Sequence, residues 1–399
     1  MARTDLVPVS TPDVTYLAQS GAGAGVPLRE LALVLFVGCA ITYLATGIVR
    51  TIMMRFGQVN APRERDVHQV PTPRLGGVAM FTGMIIAIIT ASQLPALTRG
   101  FPPITPDMAA VVAAAFIIVV VGVIDDLYDI SWMLKLGGQV GGAVVMSLMG
   151  LSWYLVSVPV GGGSTLILDQ VQSTVLTALL TVTIVNAMNF VDGLDGLAAG
   201  LGAIAAGTIL IYSLTILHDQ GGTVSAYPPA IISAVLLGMC AGFLPHNFSP
   251  ARIFMGDSGS MLIGLLLSAA CVSASGRINM SLYGTADMFA LLSPMIVVLA
   301  ALSIPLLDLL LAVVRRLANG KSPFAPDKKH LHHRLLGLGH THKRVVLVLY
   351  SWVAVVAFGA VGSTVLPPQL TLLLLGLALV IVTAVTVVPM WKDHSWKNF

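Results

Sequence analysis

Apolar stretches fill most of the chain, and short polar connections separate them. Eleven of these stretches approach the roughly twenty residues that a helix needs to cross a bilayer core. They cover residues 31–48, 75–94, 108–124, 136–155, 175–191, 197–217, 230–244, 260–274, 289–314, 345–365 and 370–388. Backbone groups inside lipid must find partners within their own segment, so runs of this length predict helices. The pattern therefore predicts an all-α, polytopic membrane protein of about eleven spans. Residues 1–27 read as a polar tail, residues 28–390 as a single transmembrane domain, and residues 391–399 as a short C-terminal tail.

Composition and charge give that picture an orientation. The 399 residues are 56% hydrophobic and only 10% charged, with a mean hydropathy of +0.90. A soluble chain of this length would carry far more surface charge. With the N-terminus outside, Arg3, Arg29, Arg99 and Arg277 lie on the outer side, and the other seventeen of the 21 Lys and Arg fall in or beside cytoplasmic segments. That asymmetry places the C-terminus in the cytoplasm. Cys39, Cys240 and Cys271 all lie in apolar runs and read as packing rather than as disulfides or a metal cluster. The N-terminal tail has no apolar core and so is not a secretory signal peptide. Its alternating glycines, Gly21 to Gly25, follow no strand and are not a nucleotide loop. No nucleic-acid partner is expected.

Five carboxylates change the question from architecture to chemistry. Asp125 and Asp126 close the third run, Asp192 and Asp195 close the fifth, and Asp257 opens the eighth. Acids gathered at membrane-helix ends are costly unless a cation or a reaction uses their charge. Asp125 and Asp126 face the negative end of their own helix dipole, although a merely solvated acidic turn is the plain alternative. Lys135, at the head of the next helix, is placed to pair with them or to hold a phosphate. Asn186, Asn189 and Asp192 follow an i, i+3 spacing that puts them on one helix face, and Gly193 and Gly196 allow a tight turn beyond it. An ordinary Asn/Asp/Gly helix stop explains three such groups poorly.

Further candidates lie on the cytoplasmic connections. Asp257 precedes an apolar helix, where it serves as an N-cap or marks a site for phosphate at the helix start. Phe254 beside it suits stacking on a base or anchoring at the interface. His330, His332, His333 and Arg334 form a basic cluster without zinc-ligand spacing, suited to phosphates. Arg315 and Arg316 need no reading beyond topology. Arg74, after two prolines and before Gly76 and Gly77, is either a nucleotide contact or one more inner charge. Asn247 and Asn279 match the glycosylation pattern, which so short a motif meets by chance. Pro305 should kink or break the ninth span, and Asp308 within it has no assigned chemistry.

With these residues placed, the chain resembles the polyprenyl-phosphate N-acetylhexosamine-1-phosphate transferase superfamily. Four elements carry the resemblance in order: Asp125-Asp126, the segment from Asn186 through Asn189 and Asp192 to Asp195, the segment from Phe254 through Asp257 to Ser260, and the His330 to Arg334 cluster. The resemblance implies transfer of a sugar 1-phosphate from a UDP-sugar to a polyprenyl phosphate, undecaprenyl or decaprenyl, with release of UMP. It implies Mg²⁺, or Mn²⁺ in its place, held by Asp257 and Asn189. Asp125, Asp126 and Asp257 take the catalytic positions. Asp195 and Phe254 match positions that hold uracil, and the His-Arg cluster matches the part that touches pyrophosphate and the amino sugar. Lys135, Asn186, Asp192, Asn247 and Arg74 complete the substrate-binding set.

The resemblance further implies a homodimer in the bacterial inner membrane with its site on the cytoplasmic face. The early and late loops depart from the pattern of the phospho-MurNAc-pentapeptide translocase, so UDP-N-acetylglucosamine is the expected donor and that translocase the alternative. An intramembrane aspartyl protease is a distant rival, because the acids sit at helix ends beside a basic loop. A proton-coupled transporter would need midplane carboxylates and inverted repeats, which the sequence does not present.

Overall fold

The central helix of the bundle is also the one that carries Asp257 in its first turn. In a computed structural model the described residues are 26–56, 59–60, 72–158, 164–219, 221–275, 299, 302–320 and 341–392. They form eleven α-helices: α1 Leu28–Arg55, α2 Gly76–Ser92, α3 Asp107–Tyr128, α4 Trp132–Leu148, α5 Gln170–Val191, α6 Leu197–Asp219, α7 Tyr227–Asn247, α8 Gly256–Ser275, α9 Ser303–Ala318, α10 His342–Val365 and α11 Pro368–Lys392. Each overlaps one of the eleven apolar runs. Eight helical segments are long and apolar enough to cross a membrane; α2 and α4, with 17 residues each, and α9, with 16, are shorter than that criterion. The protein is an all-α, polytopic membrane protein, with two short antiparallel pairings, β1 Val59–Asn60 with β2 Thr72–Pro73 and β3 Leu155–Val158 with β4 Ser164–Ile167.

Helix α8 packs against α2, α3, α5, α6 and α7. Of its apolar window 89% is buried, against 11% for α11 at the periphery. Small residues permit this central position. A side chain on Gly77 of α2 or on Gly122 of α3 would collide with the backbone of Ser258, so both glycines let neighbouring helices reach the start of α8. Hydroxyls and amides then join the helices inside the apolar core. Thr181 of α5 bonds Ser268 of α8 at 2.7 Å, and Ser147 of α4 bonds Thr174 of α5 at 2.9 Å. Each such pair satisfies groups that would otherwise be stranded away from water.

Local chemistry sets the helix ends near the site. The Ser131 hydroxyl accepts from the Leu134 N–H at 3.5 Å and opens α4, which brings Lys135 into the first turn. At the far end of the bundle Asp169 and Gln172 form a reciprocal capping box that opens α5.

One sequence expectation about elements is corrected. The fourth run does not stay helical to residue 155: α4 stops at Leu148, Gly150 takes a φ of +100°, and residues 155–158 turn into a strand. The Gly-rich stretch around residues 161–163, read as linker, lies between the two strands of that pairing and outside the described residues. Pro305 lies in the first turn of α9, which starts at Ser303 partway along the ninth run, a position where a missing N–H costs no intrahelical bond; residues 289–298 of that run lie outside the described residues.

Candidate active site

Four separate stretches of chain converge at the start of α8. The connection before it runs beside α2: the Phe254 N–H donates to Pro73 O at 2.9 Å, while Gly76 N–H donates to Phe254 O at 3.0 Å and Gly77 N–H to Met255 O at 2.9 Å. Leu75 reaches this pairing with a φ of 77°, a left-handed conformation uncommon for a branched residue. The arrangement holds the segment that carries Arg74 against the connection that carries half-buried Phe254.

Asp126, near the end of α3, caps α8 from across the bundle. One carboxylate oxygen accepts from the Asp257 N–H at 2.8 Å, and the other from the Ser258 N–H at 3.1 Å and the Ser258 hydroxyl at 2.7 Å. These are the free donors that every helix start leaves, and the dipole there favours a negative charge. Gly256, with a φ of +69°, is required here, since a side chain on it would meet the Asp126 carboxylate. Asp257 itself is thereby left free of capping and points its carboxylate elsewhere.

That carboxylate meets Lys135. The ammonium makes an ion pair with Asp257 Oδ2 and lies 3.3 Å from Asp125 Oδ2. The adjacent acids of α3 thus divide their work: Asp126 holds the helix, and Asp125 shares a cation with Asp257. On α5, the Asn189 amide nitrogen donates to the Ser260 hydroxyl at 2.9 Å, which leaves its oxygen as the atom suited to a cation. Asn186, one turn earlier, donates to Gln139 Oε1 of α4 at 2.7 Å and to Val182 O at 2.8 Å. Gln139 is buried and donates in turn to Met261 Sδ at 3.3 Å. Asn186 therefore ties α5 to α4 and α8.

The turn after α5 supplies the remaining acids. Asp192 ends α5 and lies within electrostatic reach of Asp126, Asp195 and Arg74. Burial first, then the carboxylates of Asp126 and Asp195, push its pKa above the ordinary carboxylate range, while Arg74 opposes them. Asp195 accepts from the Ala251 N–H at 3.0 Å. Asn247 is buried, accepting from Gly196 N–H at 3.0 Å and donating to Ile253 O at 3.0 Å. It braces the Asp192–Gly196 turn against the segment that leads to Phe254.

The structure thus brings Asp125, Asp126, Lys135, Asn189, Asp192, Asp195, Asp257, Phe254 and Arg74 to one end of the bundle, with Asn186 and Asn247 bracing it. His330, His332, His333 and Arg334 lie outside the described residues. Among the described residues no group of three or more His, Cys, Asp or Glu side chains forms a metal cage. The oxygens of Asp257 and Asn189 fit a hard divalent ion of the kind usually held by one or two protein oxygens plus substrate phosphates. With Lys135 and Arg74 close by, the arrangement suits the handling of phosphate groups at the membrane surface.

Sequence reasoning passed over several contributors. Ser258 and Ser260 stand within the Asp257 motif, yet their hydroxyls gain meaning only against α3 and α5. Gln139 is a lone amide in an apolar helix, a signal that was there to be read. Arg316, set aside as a topology charge, is buried with its guanidinium 5.4 Å from the Phe190 ring of α5. Tyr350 of α10 donates to Gly196 O at 2.5 Å, fixing the same turn from another side.

Comparison with known proteins gives these residues a context. Residues 108–275, from the start of α3 to the end of α8, match glycosyl transferase family 4. The decaprenyl-phosphate N-acetylglucosaminephosphotransferase of Mycolicibacterium smegmatis is 55% identical over 94% of this chain and 92% of its own length. The protein of the same description from Mycobacterium tuberculosis H37Rv is 56% identical over 94% of this chain and 93% of its own. A probable undecaprenyl-phosphate N-acetylglucosaminyl 1-phosphate transferase of Bacillus subtilis is 36% identical over 79% of this chain and 80% of its own length. The chain belongs to glycosyl transferase family 4, among the polyprenyl-phosphate N-acetylglucosamine-1-phosphate transferases.

Proposed function

We propose that the protein transfers N-acetylglucosamine 1-phosphate from UDP-N-acetylglucosamine to decaprenyl phosphate, or to the undecaprenyl homologue, and releases UMP. An oxygen of the acceptor phosphate attacks the β-phosphorus of the donor. A new P–O–P linkage forms to the lipid, the bridge between the α- and β-phosphorus breaks, and its electron pair leaves with UMP. The observation that carries this reading is the meeting of Asp125, Lys135, Asn189 and Asp257, from α3, α4, α5 and α8, at one end of the bundle.

The difficulty of the reaction is electrostatic. An ionised acceptor phosphate needs little deprotonation but must approach another anion. Asp257 and Asn189 would hold Mg²⁺, whose charge offsets that repulsion and stabilises the transferring phosphoryl group. Lys135 and Arg74 add positive charge from the protein. Asp126 fixes the start of α8, and so fixes where the Asp257 carboxylate stands. Asp195 and Phe254, on segments braced by Asn247, are assigned to the uracil end of the donor, and the His330 to Arg334 cluster to the sugar pyrophosphate. The site faces the cytoplasm of the bacterial inner membrane, with the helices forming eleven crossings and the protein a homodimer.

Purified protein with Mg²⁺, decaprenyl phosphate and alternative UDP-sugars tests the reading. UMP release is expected with UDP-N-acetylglucosamine. Release with UDP-MurNAc-pentapeptide alone would move the chain to the translocase branch.

A further inference from the structure

We propose that Lys135 competes with the divalent cation for the Asp257 carboxylate that holds it, and that nucleotide binding relieves the competition; this rests on the metal reading above. Lys135 stands in the first turn of α4, and its ammonium spans two acids from different helices. It lies 3.3 Å from Asp125 Oδ2 on α3 and pairs directly with Asp257 Oδ2 on α8. The three side chains are only 20%, 13% and 27% exposed, so bulk water screens the bridge less than a surface ion pair.

The position of Lys135 is built in. Gln139, one turn further along α4, accepts from Asn186 at 2.7 Å and donates to Met261 Sδ at 3.3 Å. Those bonds fix the rotation of α4 and hold the Lys135 face toward α8. A lysine that served only to bind phosphate would gain nothing from a direct pair with Asp257. Here the same carboxylate oxygen faces two claims, from an ammonium and from a divalent ion.

Exchange follows from this geometry. Before substrates arrive, Lys135 offsets part of the charge on Asp125 and Asp257, which would otherwise repel each other and the acids of the α5 turn more strongly. When Asp257 turns to the cation, Lys135 loses its direct partner and its ammonium is available to the donor phosphates. Lys135 therefore weakens cation binding in the protein alone and strengthens the coupling between cation and UDP-sugar. Reciprocity requires the coupling to run both ways.

Mn²⁺ binding to the purified protein, followed by electron paramagnetic resonance without turnover, tests the proposal. Lys135→Met and Lys135→Gln should each bind Mn²⁺ on the order of tenfold more tightly than wild type, the scale of an ordinary coupling energy. Lys135→Arg should stay near wild type. UDP-N-acetylglucosamine should tighten Mn²⁺ binding more in wild type than in either neutral variant. A second readout separates competition from mere proximity: acylation of Lys135 by an amine-reactive ester, read by mass spectrometry, should rise on adding Mg²⁺. Neutral variants that bind Mn²⁺ no more tightly than wild type, or Lys135 acylation indifferent to Mg²⁺, would overturn the competition and leave the transferase reading standing. Failure of wild type and every variant to bind Mn²⁺, with or without nucleotide, would remove the metal reading and this proposal together.

Discussion

At one end of α8, Asp126 of α3 accepts three hydrogen bonds from the first residues of that helix. At the other end, Asp107 of the same α3 is fully buried and accepts from the Ser273 hydroxyl at 2.6 Å. The helices run antiparallel, so each end of α8 meets a carboxylate, and the two differ in what surrounds them. Asp107 lies at the positive end of its own helix dipole, which favours an acid there. Asp126 lies at the negative end of its own helix and is held by the positive start of α8 instead. Around Asp126 stand Asp125, Asp192, Asp257, Lys135 and Arg74; the contact described at the far end is a hydroxyl. A carboxylate in a membrane protein therefore declares its role through its neighbours, and the helix pair that supplies it does not decide the matter.

The largest effect should come from the crowded end. Asp257→Ala is expected to lower UMP release by about 10³-fold, because its carboxylate is the one assigned to the cation and does not cap α8. Circular dichroism should show a helical protein of wild-type content. Asp126→Ala follows: it strands two backbone N–H groups and a hydroxyl, which should destabilise the protein by about 3 kcal/mol in thermal unfolding and also lower turnover. Asp126→Asn should fall between, since one of its side-chain atoms no longer accepts. At the quiet end, Asp107→Ala should destabilise by about 1–3 kcal/mol while leaving turnover per folded molecule unchanged. Large loss of turnover in folded Asp107→Ala would erase the contrast between the ends.

The smallest effect is a change in pH dependence. A carboxyl whose pKa is raised by folding takes up a proton as the chain folds, over the range between its ordinary and its raised value. Asp192 is in that position, so its contribution to stability should fall as pH rises through that range. Asp192→Asn should therefore raise the unfolding temperature of the ligand-free protein near neutral pH and make no difference below the ordinary carboxylate pKa. An equal shift at every pH would show that Asp192 does not carry the proton.

Much of this arrangement is legible in the sequence. Apolar runs locate each of the eleven described helices, and the spacing of Asn186, Asn189 and Asp192 marks the face of α5 that reaches α8. What the sequence withholds is settled between helices. Nothing in two adjacent aspartates says which one caps a helix 131 positions away and which pairs with a lysine. Asn186 shares a face with Asn189, yet its amide goes to Gln139 because α4 packs there. The end of α4 was misplaced because residues 149–155 are as apolar as the helix before them, and only the turn at Gly150 and the pairing of Leu155–Val158 with Ser164–Ile167 interrupt it. Arg316 looked like an inner-face charge until Phe190 was found beneath it.

The central claim is attack at phosphorus in a site that depends on Asp257. Its most direct test labels the β-phosphate of UDP-N-acetylglucosamine and follows the label after incubation of wild type and Asp257→Ala with decaprenyl phosphate and Mg²⁺. The account predicts label in the lipid extract and unlabelled UMP in water for wild type, and neither for the variant. Label left in water-soluble UDP, or equal lipid labelling by Asp257→Ala, would contradict it.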